Sequence, residues 1–171
     1  MTPFIKKKEL KNDWFLINAE NAVVGRLAAF ISIVLRGKNK ATFNPHMDNG
    51  DFVIVTNIEK MKFTGKKYVN KIYYRHTGYP GGIKETTPLR LKEKNKTEEI
   101  LKLAVKRMLP GGTLARKQLS KLKIYNGDKH PHEVQNPKIM NGSLSSLTKI
   151  QQPYLLWNGQ KMDEMDDDDN V

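Results

Sequence analysis

The chain has no cysteine, which excludes a disulfide scaffold, a cysteine-based zinc site and a thiol nucleophile together. It also lacks any apolar run approaching the roughly 18–20 residues that a membrane-spanning helix needs. The opening stretch MTPFIKKKELKND has neither the hydrophobic core of a secretory signal nor the Arg- and Ser-rich amphipathic character of a transit peptide. These features lead to the expectation of a soluble, intracellular protein. Acid is scarce as well. There are 18 Asp and Glu against 30 Lys and Arg, and six of those acids fall in the last nine residues. Ahead of that tail, 30 basic residues face only twelve acidic ones. A compact domain so charged repels itself unless a polyanion neutralises it. Nucleic acid suits that role, because each cation near a phosphate releases condensed counterions on binding. A membrane surface is the rival polyanion, but no basic helix with a strong apolar face stands out, so no membrane partner is expected.

What is present suits one domain plus tails: 171 residues, 38% of them hydrophobic, enough for a modest single core. Residues 14–17 (WFLI) form an apolar run with the length of a buried strand. Asn18 to Asn21 offer turn and capping chemistry, and residues 23–36 carry apolar side chains at helical spacing, stopped by Gly37. Residues 52–55 (FVIV) are continuously apolar, the pattern of a strand covered on both faces and hence parallel. Short strands are expected near residues 61–64 and 72–76, the second leading into a Gly-Tyr-Pro-Gly-Gly loop at 78–82. Helices over 97–109 and 113–119 and a strand over 122–125 complete an α/β pattern with a mainly parallel sheet. From about Asn136 the periodicity decays. Tyr154 to Trp157 form a small apolar cluster, and the acidic end is expected to be disordered.

The basic residues are clustered. Lys60, Lys62, Lys66, Lys67, Lys71, Arg75 and Lys84 follow one another with no acid between them. Lys102, Lys106, Arg107, Arg116, Lys117, Lys121 and Lys123 do the same. Tyr68, Tyr73, Tyr74 and Tyr79 interleave with the first group. Phosphate neutralisation beside aromatic faces for unpaired bases is what RNA binding requires, whereas a merely solvated face normally mixes signs.

Chemistry of other kinds finds little support. Gly37-Lys38 and Gly65-Lys66 imitate the end of a phosphate loop, but neither has a glycine five residues earlier or a Ser/Thr after the lysine. His130 and His132 flank Pro131 in a stretch with no HExxH motif, so no metal is expected. Asp48 and Asp51 flank a turn and read as turn caps rather than as a paired-carboxylate site. No nucleophile, base and orienting acid come together in the sequence. Neither an enzyme, a cofactor nor a small-molecule substrate is expected.

Several blocks carry a resemblance. GRLAAFISIVLRGK (25–38), NPHMDNGDFVIVTN (44–57), FTGKK (63–67), KIYYRHTGYPGGIKE (71–85), LAVKRMLPGGTLARKQLSKLKIYNG (103–127) and HPHEVQNP (130–137) resemble the L-thirteen family of large-ribosomal-subunit proteins, bacterial or organellar type, in order and spacing. The resemblance implies a three-layer α/β domain with a short, mainly parallel sheet and helices on both faces. It also implies docking on large-subunit ribosomal RNA early in assembly, beside neighbouring ribosomal proteins. It divides the chain into a basic lead (1–13), the RNA-binding domain (14–137) and a C-terminal extension with the acidic tail (138–171). Its matched motifs point to Arg36, Lys38 and Lys40 beyond the first helix, and to Lys66, Lys67 and Lys71 as phosphate contacts. Tyr74, Arg75, His76 and Tyr79 are expected to make a close contact with RNA alongside the glycine loop. Arg107, Arg116 and Lys117 form a second docking edge and His130 with His132 a third. The extension exceeds the family's compact core and is commoner in organellar ribosomes, which favours a mitochondrial ribosome over a bacterial cytoplasm. The competing expectations are a nucleic-acid-binding regulator outside the ribosome, a nucleotide-dependent enzyme and a membrane-surface protein.

Overall fold

The computed structural model describes residue 6 and residues 10–140. The expected disordered tail, the cluster at residues 154–157 and most of the basic lead lie outside the described residues.

β1 (Trp14–Asn18) and β2 (Phe52–Thr56) form the centre of a parallel sheet, with Trp14 opposite Phe52 and Asn18 opposite Thr56. A parallel pair cannot be joined by a tight turn, and the crossover is made by α1 (Val24–Arg36). β5 (Leu122–Ile124) adds to β2 and β6 (Lys138–Ile139) adds to β1, both parallel, giving the order β5-β2-β1-β6. The expectation of an α/β fold with a mainly parallel sheet is borne out. Val53, Ile54 and Val55 are all fully buried, as the continuous apolar run of β2 required.

Alternation along the strands divides their side chains between two faces. Phe15, Ile17, Val53 and Val55 join one cluster with Leu27, Ile31, Val34 and Leu35 of α1 and with Leu101 and Val105 of α4 (Thr97–Met108). Truncating a side chain as buried as Leu101 to alanine costs about 2–5 kcal/mol. On the other face Trp14 stacks on Phe52, ring centroids 4.3 Å apart, and His132 tilts against Trp14 at 5.3 Å. His132 lies at the start of a short 3-10 turn, Glu133–Gln135.

A smaller cluster of Val24, Tyr73, Leu91 and Ile100, with Phe63 and Ala104 against it, ties the start of α1 to two further elements. One is the antiparallel ribbon of β3 (Tyr73–His76) and β4 (Ile83–Thr86); the other is α3 (Pro88–Glu93). The remaining helices are the single turn α2 (Lys67–Asn70) and α5 (Thr113–Ser120).

Glycine is obligatory where α1 ends. Gly37 adopts a left-handed conformation (φ 73°) and its N–H donates to the Val34 carbonyl. A Cβ on Gly50 would lie 1.7 Å from the Leu35 carbonyl oxygen, so only glycine lets the loop press against the helix there.

Some local expectations differ from what is seen. Residues 61–64 do not form a strand; they contribute a single parallel bridge, Lys62 with Val23. The capping chemistry expected in residues 18–21 closes a turn instead, the Asn18 carboxamide oxygen accepting from the Glu20 N–H at 3.0 Å. The residue that precedes α1 is Val23, which provides no side-chain cap. The sheet also runs past residue 137, since the Met140 N–H donates to the Leu16 carbonyl and its side chain packs on the main cluster.

Candidate nucleic-acid interface

The two acid-free basic runs are not acid-free in space. Lys60 pairs with Glu20 at 2.9 Å. Lys121, buried, donates to Asp48 at 2.8 Å and to the Gly50 carbonyl at 2.9 Å. Lys40 bonds Asp51, whose side chain is fully buried, and also the Lys11 carbonyl. The Asp51 carboxylate further accepts the Asp13 N–H. Lys40 and Lys121 clamp loops around the carboxy-terminal end of α1, and their charge is largely spent inside the protein. The Lys60–Glu20 pair is exposed and lies beside the turn that leads into α1.

Arg36 and Lys38 belong to the same end of α1. Arg36 is half-buried with its guanidinium over the Phe43 ring at 5.8 Å, and Lys38 is exposed.

A different situation holds at the amino-terminal end, about 20 Å away along a helix of this length. Lys62 follows the 3-10 turn Ile58–Lys60, Lys67 opens α2, Lys71 closes it, and Arg107 comes from the last turn of α4. Together with Val23, Val24, Gly25, Phe63, Ala104 and Met108 they line one concavity of about 230 Å³. None of the four cations makes an ion pair among the described residues. The Lys71 ammonium and the Arg107 guanidinium both lie against the Tyr73 ring, at 5.2 and 5.7 Å. Burial, then the charges of Arg107 and Lys67, push the pKa of Lys71 below its usual lysine value. Burial raises the pKa of Tyr73, which Arg107 partly opposes. The Tyr73 hydroxyl is buried without a hydrogen-bond partner among the described residues. Chain proximity could group Lys66, Lys67 and Lys71, but it gave no hint of Arg107 joining them. Lys62 lay in the basic run without being singled out.

The β3–β4 ribbon carries the next group. Tyr74 is 58% exposed, Tyr79 76% and Ile83 61%, while Arg75, His76 and Lys84 are exposed too. Large aromatic and aliphatic side chains this open are available to stack on bases. Arg75 sits directly opposite Lys84 in the ribbon register, a like-charge pair that is unfavourable until an anion intervenes. The loop closes through Thr77 N–H to the Gly82 carbonyl and Gly82 N–H to the Tyr79 carbonyl, each 2.9 Å, and the His76 Nδ1 accepts the Gly78 N–H at 3.0 Å. A Cβ on Gly82 would lie 2.1 Å from the Thr77 hydroxyl, so glycine is already required by the turn itself.

Arg116 and Lys117 are exposed on α5, beyond the Pro110-Gly111-Gly112 turn, and with Lys106 give a further basic edge. His130 and His132 are engaged differently. The Tyr125 hydroxyl and the His132 Nε2 share a hydrogen bond at 2.8 Å, and the His132 N–H donates to His130 Nδ1 at 3.3 Å. Both rings are half-buried and hold the segment that covers Trp14.

Comparison with known proteins adds an independent finding. Residues 12–131 match the family described as "Ribosomal protein L13". A protein of Thermosipho africanus (strain TCF52B) named "Large ribosomal subunit protein uL13" is 56% identical over 140 residues, covering 82% of this chain and 93% of the relative. Proteins of the same name from Neorickettsia sennetsu (strain ATCC VR-367 / Miyayama) and Geobacter sp. (strain M21) are 54% and 56% identical, covering 81% and 82% of this chain and 91% and 98% of their own lengths.

Proposed function

The chain belongs to the ribosomal protein L13 family, and from that premise we propose that it is a structural constituent of the large ribosomal subunit that binds ribosomal RNA and supports subunit assembly and translation. Its role is architectural and not catalytic. The observation that carries the RNA-binding part is the set of cations without carboxylate partners among the described residues at the amino-terminal end of α1, beside an exposed aromatic and basic ribbon. Phosphate contacts position the protein and open aromatic faces take unpaired bases.

In this reading Lys66, Lys67, Lys71 and Arg107 meet phosphates, and Arg36, Lys38, Arg116 and Lys117 extend the contact to other edges. Tyr74, Arg75, His76 and Tyr79 engage unpaired RNA. Lys40, His130 and His132 serve it mainly by holding the loops on which neighbouring contacts sit. Adjacent ribosomal proteins cover part of the remaining surface. The RNA-binding unit begins near residue 14 and includes the edge strand β6, and the residues after it form an extension. That extension favours a mitochondrial ribosome, although the relatives compared are bacterial. Fractionating purified mitochondria tests the compartment.

The functional test is sucrose-gradient fractionation of a lysate at moderate and at high salt. The chain should travel with the large subunit and leave it only at high salt. Lys66→Glu, Lys67→Glu and Lys71→Glu combined should block incorporation while the isolated protein keeps its circular dichroism. Wild-type protein at the top of the gradient in both salts would instead indicate a nucleic-acid-binding protein acting outside the ribosome.

A further inference from the structure

We propose that the concavity at the amino-terminal end of α1 is a seat for one backbone phosphate of ribosomal RNA, gripped by Lys62, Lys67, Lys71 and Arg107 and by the N–H of Gly25, with the N–H of Arg26 just behind it in the first helical turn. This rests on the ribosomal RNA-binding reading and deepens it from a basic surface to a defined subsite.

Four cations converge here from three separate elements onto a space floored by Val24, Phe63, Ala104 and Met108. Charges on a solvated face spread apart, whereas these are held around a partly apolar hollow that strengthens any electrostatic contact made in it. Size limits the occupant. At about 230 Å³ the hollow falls below the roughly 300–1,000 Å³ of ordinary small-molecule sites, so it suits a single group and not a whole nucleotide.

The helix end contributes in the same sense. The Val24 N–H is taken by the Lys62 carbonyl at 3.1 Å, but those of Gly25 and Arg26 have no acceptor among the described residues. No acid occupies the first turn and no side chain caps it. Negative charge is therefore favoured there by both the free donors and the helix dipole. Gly25 leaves the entrance open, since a Cβ built on it would meet nothing within 4 Å. The empty seat is also unfavourable for the protein, since burial first, and then the neighbouring charges of Arg107 and Lys67, lower the pKa of Lys71. A phosphate relieves that repulsion and makes the end of α1, part of the main core, a fixed reference point for the RNA.

The test uses the full-length protein in two experiments. In the first, inorganic phosphate replaces chloride at constant ionic strength while backbone amide resonances are followed. The Gly25 and Arg26 amides should shift and saturate, with smaller changes at the basic edge of α5. Shifts no larger there than on α5, or linear without saturation, would overturn the seat. In the second, binding to transcribed large-subunit ribosomal RNA is measured across salt concentrations for wild type, Gly25→Val and Lys71→Met. Gly25→Val keeps every charge and fills the hollow. Each variant should bind about tenfold more weakly, with the slope of log affinity against log salt reduced by about one. Unchanged affinity and slope in Gly25→Val would show that RNA does not use the seat. Failure of the wild type to bind the RNA would bring down the ribosomal reading instead, and the phosphate titration would still decide whether the hollow holds phosphate.

Discussion

Basic residues gather at both ends of α1, but part-buried ion pairs hold some of them at the carboxy-terminal end only. At the carboxy-terminal end, Lys40 and Lys121 are matched with Asp51 and Asp48, and glycines 37 and 50 let backbone pack against backbone. At the amino-terminal end, Lys62, Lys67, Lys71 and Arg107 have no ion-pair partner among the described residues, and Gly25 faces open space. A cation matched with a buried carboxylate serves the fold. Cations held together without one oppose the fold and await a ligand. The difference shows why a count of basic residues is a poor map of a binding surface.

The contrast can be broken at its strongest point by a pair of glycine substitutions. Gly50→Ala should destabilise the protein by at least about 4 kcal/mol, since its methyl group meets the Leu35 carbonyl and neither backbone can yield cheaply. Gly25→Ala should stabilise the free protein by about 0.5–1 kcal/mol, the usual gain in a helix. Urea denaturation of the two variants measures both, and equal effects would erase the distinction between the ends.

Next in size is Asp51→Ala. It strands the Lys40 ammonium and the Asp13 N–H, and should cost about 2–4 kcal/mol in the same assay. RNA affinity, measured below the variant's unfolding temperature, should stay within about twofold of wild type because Asp51 is buried and makes no ion pair with Arg36 or Lys38, the contacts proposed at that end.

Lys71→Met gives the smallest and most diagnostic effect. Removing a half-buried cation from a repulsive cluster should raise the melting temperature of the free protein by about 1–3 °C at low salt, and the part of the gain owed to repulsion should be lost at high salt while the part owed to burial persists. The pH dependence has a definite sign. The folded-state pKa of Lys71 lies below the ordinary 10.5, so the folded protein binds its proton less well than the unfolded chain does. The resulting destabilisation is complete below the lowered pKa and is relieved as pH rises from that value toward 10.5. Lys71→Met should flatten this part of the stability profile, which differential scanning calorimetry across alkaline pH would detect.

Much of the fold was legible because its elements are apolar and periodic. β2 and the helices α1 and α4 announce themselves through buried side chains at strand or helix spacing. β4 does not, because Ile83, Lys84 and Glu85 are all exposed and no apolar pattern constrains them. α3 left a signal that was available: Thr87 accepts the Arg90 N–H as a cap and Pro88 takes the first helical position. β6 is only two residues long and is defined by its pairing with β1, which sequence alone does not display.

The site was legible by composition but not by arrangement. Lys66, Lys67 and Lys71 stand out as a run, whereas Arg107 reaches them through the packing of α4 on α1 and of Tyr73 beneath both. Pairings distant in sequence are equally invisible. Nothing near Lys121 in the chain reveals that it spends its charge on a carboxylate, since Asp48 is 73 residues away.

The most direct test of the central claim sets two charge-altered proteins side by side, Lys67→Glu with Arg107→Glu at the open end and Lys40→Met with Asp51→Leu at the paired end. Affinity for large-subunit ribosomal RNA and melting temperature are measured on both. The account predicts that the first loses at least a hundredfold in affinity, about 2.7 kcal/mol, with a melting temperature no lower than that of the wild type. The second should keep its affinity, with whatever change it shows confined to stability. Loss of RNA binding in the second with retention in the first would contradict the assignment of binding to the open end and folding to the paired end.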